Sequence, residues 1–282
     1  MRRREFLGGA ALAVAGCVMS PSPGGVAPPE AFRQTRYFTA PDGVRIAYRD
    51  SGQPNAPAIL FCNGGGQAMA VWSSIADPLT ATHRVILHDR RANGDSDPGA
   101  PETHSFATFR DDVLGVMGVA GVKQATVCGL AFGSRVALRV ALDAPARVSG
   151  LILLDATGGP AAPEAERRAG AEEAARLRTA AGISTPERDP AWTATSNPDA
   201  SSFNGRALQG QPAWTEGLST VRMPTLVAVG EQDPNFEGGR RLAREIPNAR
   251  FEAMPMTGHG SNAQRPDLLL ALIKDFLDRT RL

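Results

Sequence analysis

Between residues 126 and 134 the chain reads Thr-Val-Cys-Gly-Leu-Ala-Phe-Gly-Ser. A short apolar run (125–128) enters Gly129-Leu130-Ala131-Phe132-Gly133, and residues 135–144 have a helical pattern. Strand, Gly-x-Nu-x-Gly, helix is the layout of a nucleophile elbow, a strained turn that exposes its central side chain at the top of a sheet. Flanking glycines suit such a turn because strand and helix backbones approach closely there. The chemistry would be covalent attack, but the central residue is Ala131, and no acyl intermediate forms on a methyl group. Ser134, three residues on, reads as a helix-start hydroxyl pointing away from any pocket. Cys62 and Cys128 read as buried free thiols, with a disulfide second and a nucleophilic role third.

The elements that must position this turn alternate in type. Residues 35–39 and 44–48 read as strands around the turn signal Pro41-Asp42-Gly43. Apolar runs at 58–62, 83–88, 125–128, 151–154, 225–229 and 250–254 supply further strands, and 106–119 has helical spacing. After 135–144, where Val136, Ala137, Val140 and Ala141 share one face, the closing helix starts near Pro266 and buries Leu268, Leu269, Leu272, Ile273 and Phe276. Near-continuous apolar strands between helices predict an α/β fold, a mostly parallel sheet covered by helices on both faces. Residues 158–223 break the pattern and read as a small helical lid insertion. Residues 165–181 form its helix, with Glu164/Arg168 and Glu172/Arg176 spaced for i,i+4 pairing, and 184–204 its polar loop. Ligands of such sheets bind beyond the carboxyl ends of the strands. Asn63, Ala131, Asp155, Asp233 and His259 each follow a strand at that end.

The 282 residues, 42% hydrophobic and 21% charged, describe a globular protein with a sizeable core, and a net charge of +1 gives no reason to expect a nucleic acid partner. The N-terminus reads as an export signal over 1–17. Arg3-Arg4-Glu5-Phe6-Leu7 resembles a twin-arginine motif, followed by 13 uncharged residues from Phe6 to Val18, too few for the roughly 20 that span a bilayer. Val14-Ala15-Gly16-Cys17 resembles a bacterial lipobox, with Cys17 the lipidated first residue of the mature chain. Cleavage there removes three arginines and one glutamate and leaves a net charge of −1. Residues 18–34, rich in Pro, Gly and Ser, read as a tether. The expected location is the bacterial periplasm or cell envelope, with membrane contact through the lipid anchor only.

Over residues 35–280 this order of parts resembles the α/β-hydrolase fold family. The resemblance rests on the glycine-rich loop after Asn63, the loop from Asp89 to Ser96, the turn at 129–133, Asp233, and Gly258-His259. It implies that His259 is a general base whose imidazole Asp233 holds in the useful tautomer. It also implies an oxyanion hole made by the N–H groups of Phe132 and Gly65, beside a pocket at Asn63 and Gly64. Asp155 is an alternative position for the acid, with a structural role the main reading. Asp89 and Arg91 are expected to tie their loop to the sheet, His88 to be a satisfied core or loop-edge residue, and His104 a solvated helix start. Asn63 stands where the family commonly has His, and Ala131 where it has Ser, Cys or Asp.

Two functions follow. The first is a hydrolase-like enzyme acting on a small neutral or apolar organic molecule, with His259 and Asp233 as general base, no covalent intermediate, no metal and no cofactor. General-base action of this kind is worth roughly 10²–10⁴-fold. The second is an inactive pseudo-hydrolase, a tethered binding protein that uses the same pocket without chemistry.

Overall fold

The computed structural model describes residues 34–160, 162–187, 192, 200–209 and 216–282. The expected signal, the lipidation site Cys17 and most of the tether lie outside the described residues.

One eight-stranded sheet runs in the order β1-β2-β4-β3-β5-β6-β7-β8. Its strands are β1 (Arg36–Thr39), β2 (Arg45–Gly52), β3 (Ala58–Cys62), β4 (Arg84–His88), β5 (Ala125–Leu130), β6 (Val148–Leu154), β7 (Thr225–Gly230) and β8 (Ala249–Met254). Only β1 with β2, and β2 with β4, pair antiparallel; every other pair is parallel. The six residues of β5 and the six of β7 are all buried, as strands covered on both faces must be.

The helices are α1 (Ser73–Leu79), α2 (Phe106–Val119), α3 (Phe132–Asp143), α4 (Glu164–Ala180), α5 (Ala200–Gln209), α6 (Phe236–Glu245), α7 (Ser261–Gln264) and α8 (Pro266–Thr280). Two apolar clusters form the core. One joins the sheet to α2, α3 and α6 through Phe109, Val113, Val136, Val140 and Leu242. The other joins it to α1 and α8 through Ile75, Leu79, Leu269, Ile273 and Phe276. Leu277 belongs to the second cluster, whereas Leu268 and Leu272 are only partly buried against it. None of the described helices is long and apolar enough to cross a membrane.

The region 158–223 departs from its expected detail. On α4 the ion pairs are Glu164–Arg167, Arg168–Glu172 and Glu173–Arg176, two of them at i,i+3. Part of the expected polar loop is the helix α5, which buries Ala207. Its face meets other elements rather than solvent, and that tertiary contact overrides a weak local helix signal. Helix α4 packs very closely: a Cβ on Gly170 would lie 2.0 Å from the Gln232 carbonyl oxygen, and one on Gly258 2.8 Å from Ala171 Cα.

Candidate active site

Ala131 joins β5 directly to α3 with φ 50° and ψ −108°, a conformation that L-residues seldom adopt. Glycine is needed on both sides. A Cβ on Gly129 would sit 2.3 Å from the Gly133 carbonyl oxygen, and one on Gly133 2.2 Å from that of Cys62. The Ala131 N–H donates to Leu154 O at 2.8 Å, tying the turn to β6. Phe132 opens α3, so its N–H has no intrahelical acceptor. Ser134 is buried with Oγ 2.7 Å from Gly129 O and 2.8 Å from Leu154 O, directed inward as expected.

His259 and Asp233, 26 residues apart, meet beyond the ends of β8 and β7. Nδ1 of His259 lies 2.8 Å from Oδ2 of Asp233, whose other oxygen accepts the Asn235 N–H at 2.9 Å. Asp233 is buried, while the His259 side chain keeps 20% exposure and lines a pocket of about 330 Å³. Gly64, Gly65, Gln67, Leu130 and Ala131 line the same space.

A second carboxylate stands behind the pair. Asp155, 1% exposed and at φ 50°, accepts the N–H groups of Gly260 (2.9 Å) and Ser261 (2.8 Å) on Oδ2. Burial and the neighbouring Asp233 charge push its carboxyl up to about 6. At His259 burial works against the imidazolium. The Asp233 hydrogen bond and the charges of Asp155 and Asp233 outweigh it, and the imidazole titrates above an ordinary histidine. Ligand atoms of Asp155, Asp233 and His259 all lie within 4.8 Å of one another, a spacing that distance alone would allow a metal ion. The bonds already made by Nδ1 of His259 and Oδ2 of Asp155 suit a hydrogen-bonded relay better than a coordination shell.

Other expected residues are placed differently. Asn63 does not line the pocket: it is buried, donating Nδ2 to His88 O (3.0 Å) and accepting Trp72 Nε1–H on Oδ1 (2.9 Å), because the loop's own polar groups need satisfying. His104 is not solvated; it is 3% exposed, bonds Pro98 O through Nε2 at 2.8 Å, and stacks on Phe203 of α5. That partner comes from α5, about 100 residues further along, and local sequence does not reveal the contact. The pocket wall is not neutral either, since α4 brings Glu164, Arg167 and Arg168 to it.

Arg91 and Asp89 do hold their loop, but to neighbouring segments rather than to the sheet, because their side chains project past its edge. Arg91 forms a buried ion pair with Asp112 of α2 at 2.8 Å, and Asp89 accepts the N–H groups of Met69 (2.5 Å) and Asp95 (2.9 Å). His88 bonds Phe61 O through Nδ1 at 2.9 Å. Cys62 and Cys128 are buried free thiols; burial pushes Cys62 up to about 12 and raises Cys128, so neither supplies a thiolate near neutral pH.

Sequence reasoning passed over three residues that hold this arrangement. Gln264 accepts Gly258 N–H (3.0 Å) and donates to His259 O (2.7 Å), bracketing the histidine. Arg178 of α4, buried, donates to Met256 O (2.6 Å) and to Gln264 Oε1 (3.1 Å). Arg90, within the Asp89–Ser96 loop, stacks its guanidinium on Phe132, 4.4 Å from the ring centre.

A family model described as the alpha/beta hydrolase fold matches residues 57–181. The chain has the α/β-hydrolase fold and is similar to that family over these residues. A protein named "Putative carbamate hydrolase RutD" from Caulobacter sp. (strain K31) is 26% identical over 84% of this chain and 96% of its own length. The 3-oxoadipate enol-lactonase 1 of Acinetobacter baylyi is 24% identical over 85% of this chain and 96% of its own. Among solved structures, a hydrolase from Pseudomonas aeruginosa PA01 superposes with a TM-score of 0.72 at 25% identity, over 86% of this chain and 98% of that one. Relatives across the α/β-hydrolase fold family therefore include hydrolases of small molecules, and the likeness spans nearly their full length.

Proposed function

We propose that this chain is a hydrolase-like enzyme for a small organic molecule, using His259 as general base without a covalent enzyme intermediate. The observation that carries the reading is the 2.8 Å contact between His259 Nδ1 and Asp233 Oδ2. A carboxylate on Nδ1 fixes the tautomer that leaves Nε2 unprotonated, as a base requires. The imidazole then takes a proton from water, or from a carbon acid of the substrate, in the space shared with Ala131. The N–H groups of Gly65 and Phe132 serve as donors to the negative charge that develops on the substrate oxygen. The methyl of Ala131 leaves room for that water where a nucleophile would otherwise stand. Lactones, esters and enolisable ketones are the substrate classes this machinery fits. The Cys17 lipobox and the tether, in the same reading, hold the enzyme at the cell envelope.

The methyl group at Ala131 is also the one observation that favours the second reading, a binding protein. Turnover of an ester, lactone and ketone panel by the chain and by His259→Ala separates the two. Hydrolysis reduced about 10²-fold or more in the variant supports the enzyme; equal turnover, or none in either protein, supports the binding protein.

A further inference from the structure

Arg90 is 3% exposed and forms no ion pair among the described residues. Its guanidinium lies over the rings of Phe132 (4.4 Å) and Phe109 (5.4 Å), donates to Asn63 O (3.4 Å) and leaves Nε without a partner. Burial lowers it only to about 10, so it stays a cation at neutral pH. The nearby Asp89 carboxylate is already committed to Met69 N–H, Asp95 N–H and Asn63 Nδ2. An uncompensated cation is costly to bury unless something negative comes to it.

The strongest bond Arg90 makes explains where its field is directed. Nη2 donates to Oδ1 of Asn204, on α5, at 2.8 Å. With its oxygen held there, the Asn204 amide turns Nδ2 the other way, 3.4 Å from where a Cβ would stand on Gly65. Phe132 Cβ is 3.8 Å from the same point. A side-chain donor backed by a buried cation therefore stands beside Gly65, with Phe132 on the same side. Across the pocket, Arg167 and Arg168 are each already paired, with Glu164 and Glu172, so they leave the Arg90–Asn204 corner as the side with an uncompensated cation.

We propose that Asn204, aimed by Arg90, makes this corner a receptor for a carboxylate: the ligand, as a product acid or as an acid held without turnover, carries a carboxylate group whose oxygens take the Asn204 amide together with the Gly65 and Phe132 N–H groups. With a methyl at 131, a planar carboxylate meets no nucleophile oxygen in this corner. The inference rests on the reading of Gly65 and Phe132 as donors, but it concerns binding and is independent of turnover.

The test is a titration of the full chain with benzoate and with benzamide, its neutral isostere, followed by NMR chemical shifts. Benzoate is expected to bind about tenfold or more tightly than benzamide, as a charge-assisted bond predicts. Asn204→Ala should abolish that preference, and Asn204→Asp, which keeps the shape and reverses the field, should turn it against benzoate. Ala131→Ser, which returns an oxygen to the corner, should weaken benzoate and leave benzamide unchanged. Equal binding of the two probes by the unmodified chain, or a preference that survives both Asn204 variants, overturns the proposal. Carboxylate preference without turnover would sink only the enzyme reading, and turnover without the preference only this one.

Discussion

The carboxylate of Asp155 accepts the backbone N–H of Gly260 at 2.9 Å, joining residues 105 apart in the chain. Through this bond the end of β6 holds the loop that carries His259, while Asp233 holds the ring itself. Two carboxylates thus act on one imidazole, one at its Nδ1 and one beneath its backbone.

Replacing Asp155 by Asn keeps the shape and removes the charge. Since that charge helps raise His259, the imidazole should titrate lower in Asp155→Asn. An NMR pH titration of the His259 ring reads this directly. An unchanged midpoint would show that Asp155 acts on the loop alone.

The base form of His259 is the neutral imidazole, and its titration point lies above that of an ordinary histidine. Any activity should therefore fall as pH drops through that raised value and level off above it. Asp233→Asn should lower the activity at every pH, by about 10²-fold or more, because the amide no longer fixes the tautomer. A rate–pH profile of both proteins checks the sign and the size.

Gly133 faces the carbonyl oxygens of Cys62 and Asn63, 2.2 and 2.6 Å from the site of a Cβ. Backbone offers no flexible atom to move aside. Gly133→Ala should cost on the order of 1–3 kcal/mol and disturb the Ala131 turn. Gly118, with nothing within 4 Å, supplies the control: Gly118→Ala, in the last turn of α2, should be tolerated or stabilise slightly, by up to about 0.5 kcal/mol. Denaturant unfolding of the two variants measures the contrast.

The buried pair of Arg91 and Asp112, both side chains 3% exposed or less, pins the loop after β4 to α2. Burial raises the Asp112 carboxyl in spite of its partner, a sign of how poorly solvated the pair is. Asp112→Ala leaves the guanidinium with only Asp42 and Thr103 and should destabilise by about 3–5 kcal/mol. A thermal melt in which the variant unfolds with the unmodified chain would contradict this.

The sequence by itself determined the sheet and the residues that end its strands. Apolar runs bounded by Gly, Asp and Asn are local signals: β5, β7 and α2 stand within two residues of where periodicity puts them, and β6 ends where expected but begins three residues earlier. The spacing of Gly129, Ala131 and Gly133 carried the turn as well, because the close approach it serves tolerates no Cβ on either glycine. Only the tertiary structure decided which polar groups meet. Asp233 and Asp155 come from different strands, and nothing local to either tells which one reaches Nδ1 of His259. Asn63 and His104 were misplaced for the same reason: their partners, Trp72, His88, Pro98 and Phe203, are set by packing across the chain. Arg90 and Asn204 are 114 residues apart, and although Arg90 lies in the Asp89–Ser96 loop, nothing in that motif points to a partner so far along the chain. Hydrogen bonds and buried charge depend on distance in space, and the chain encodes that distance only through the fold it makes.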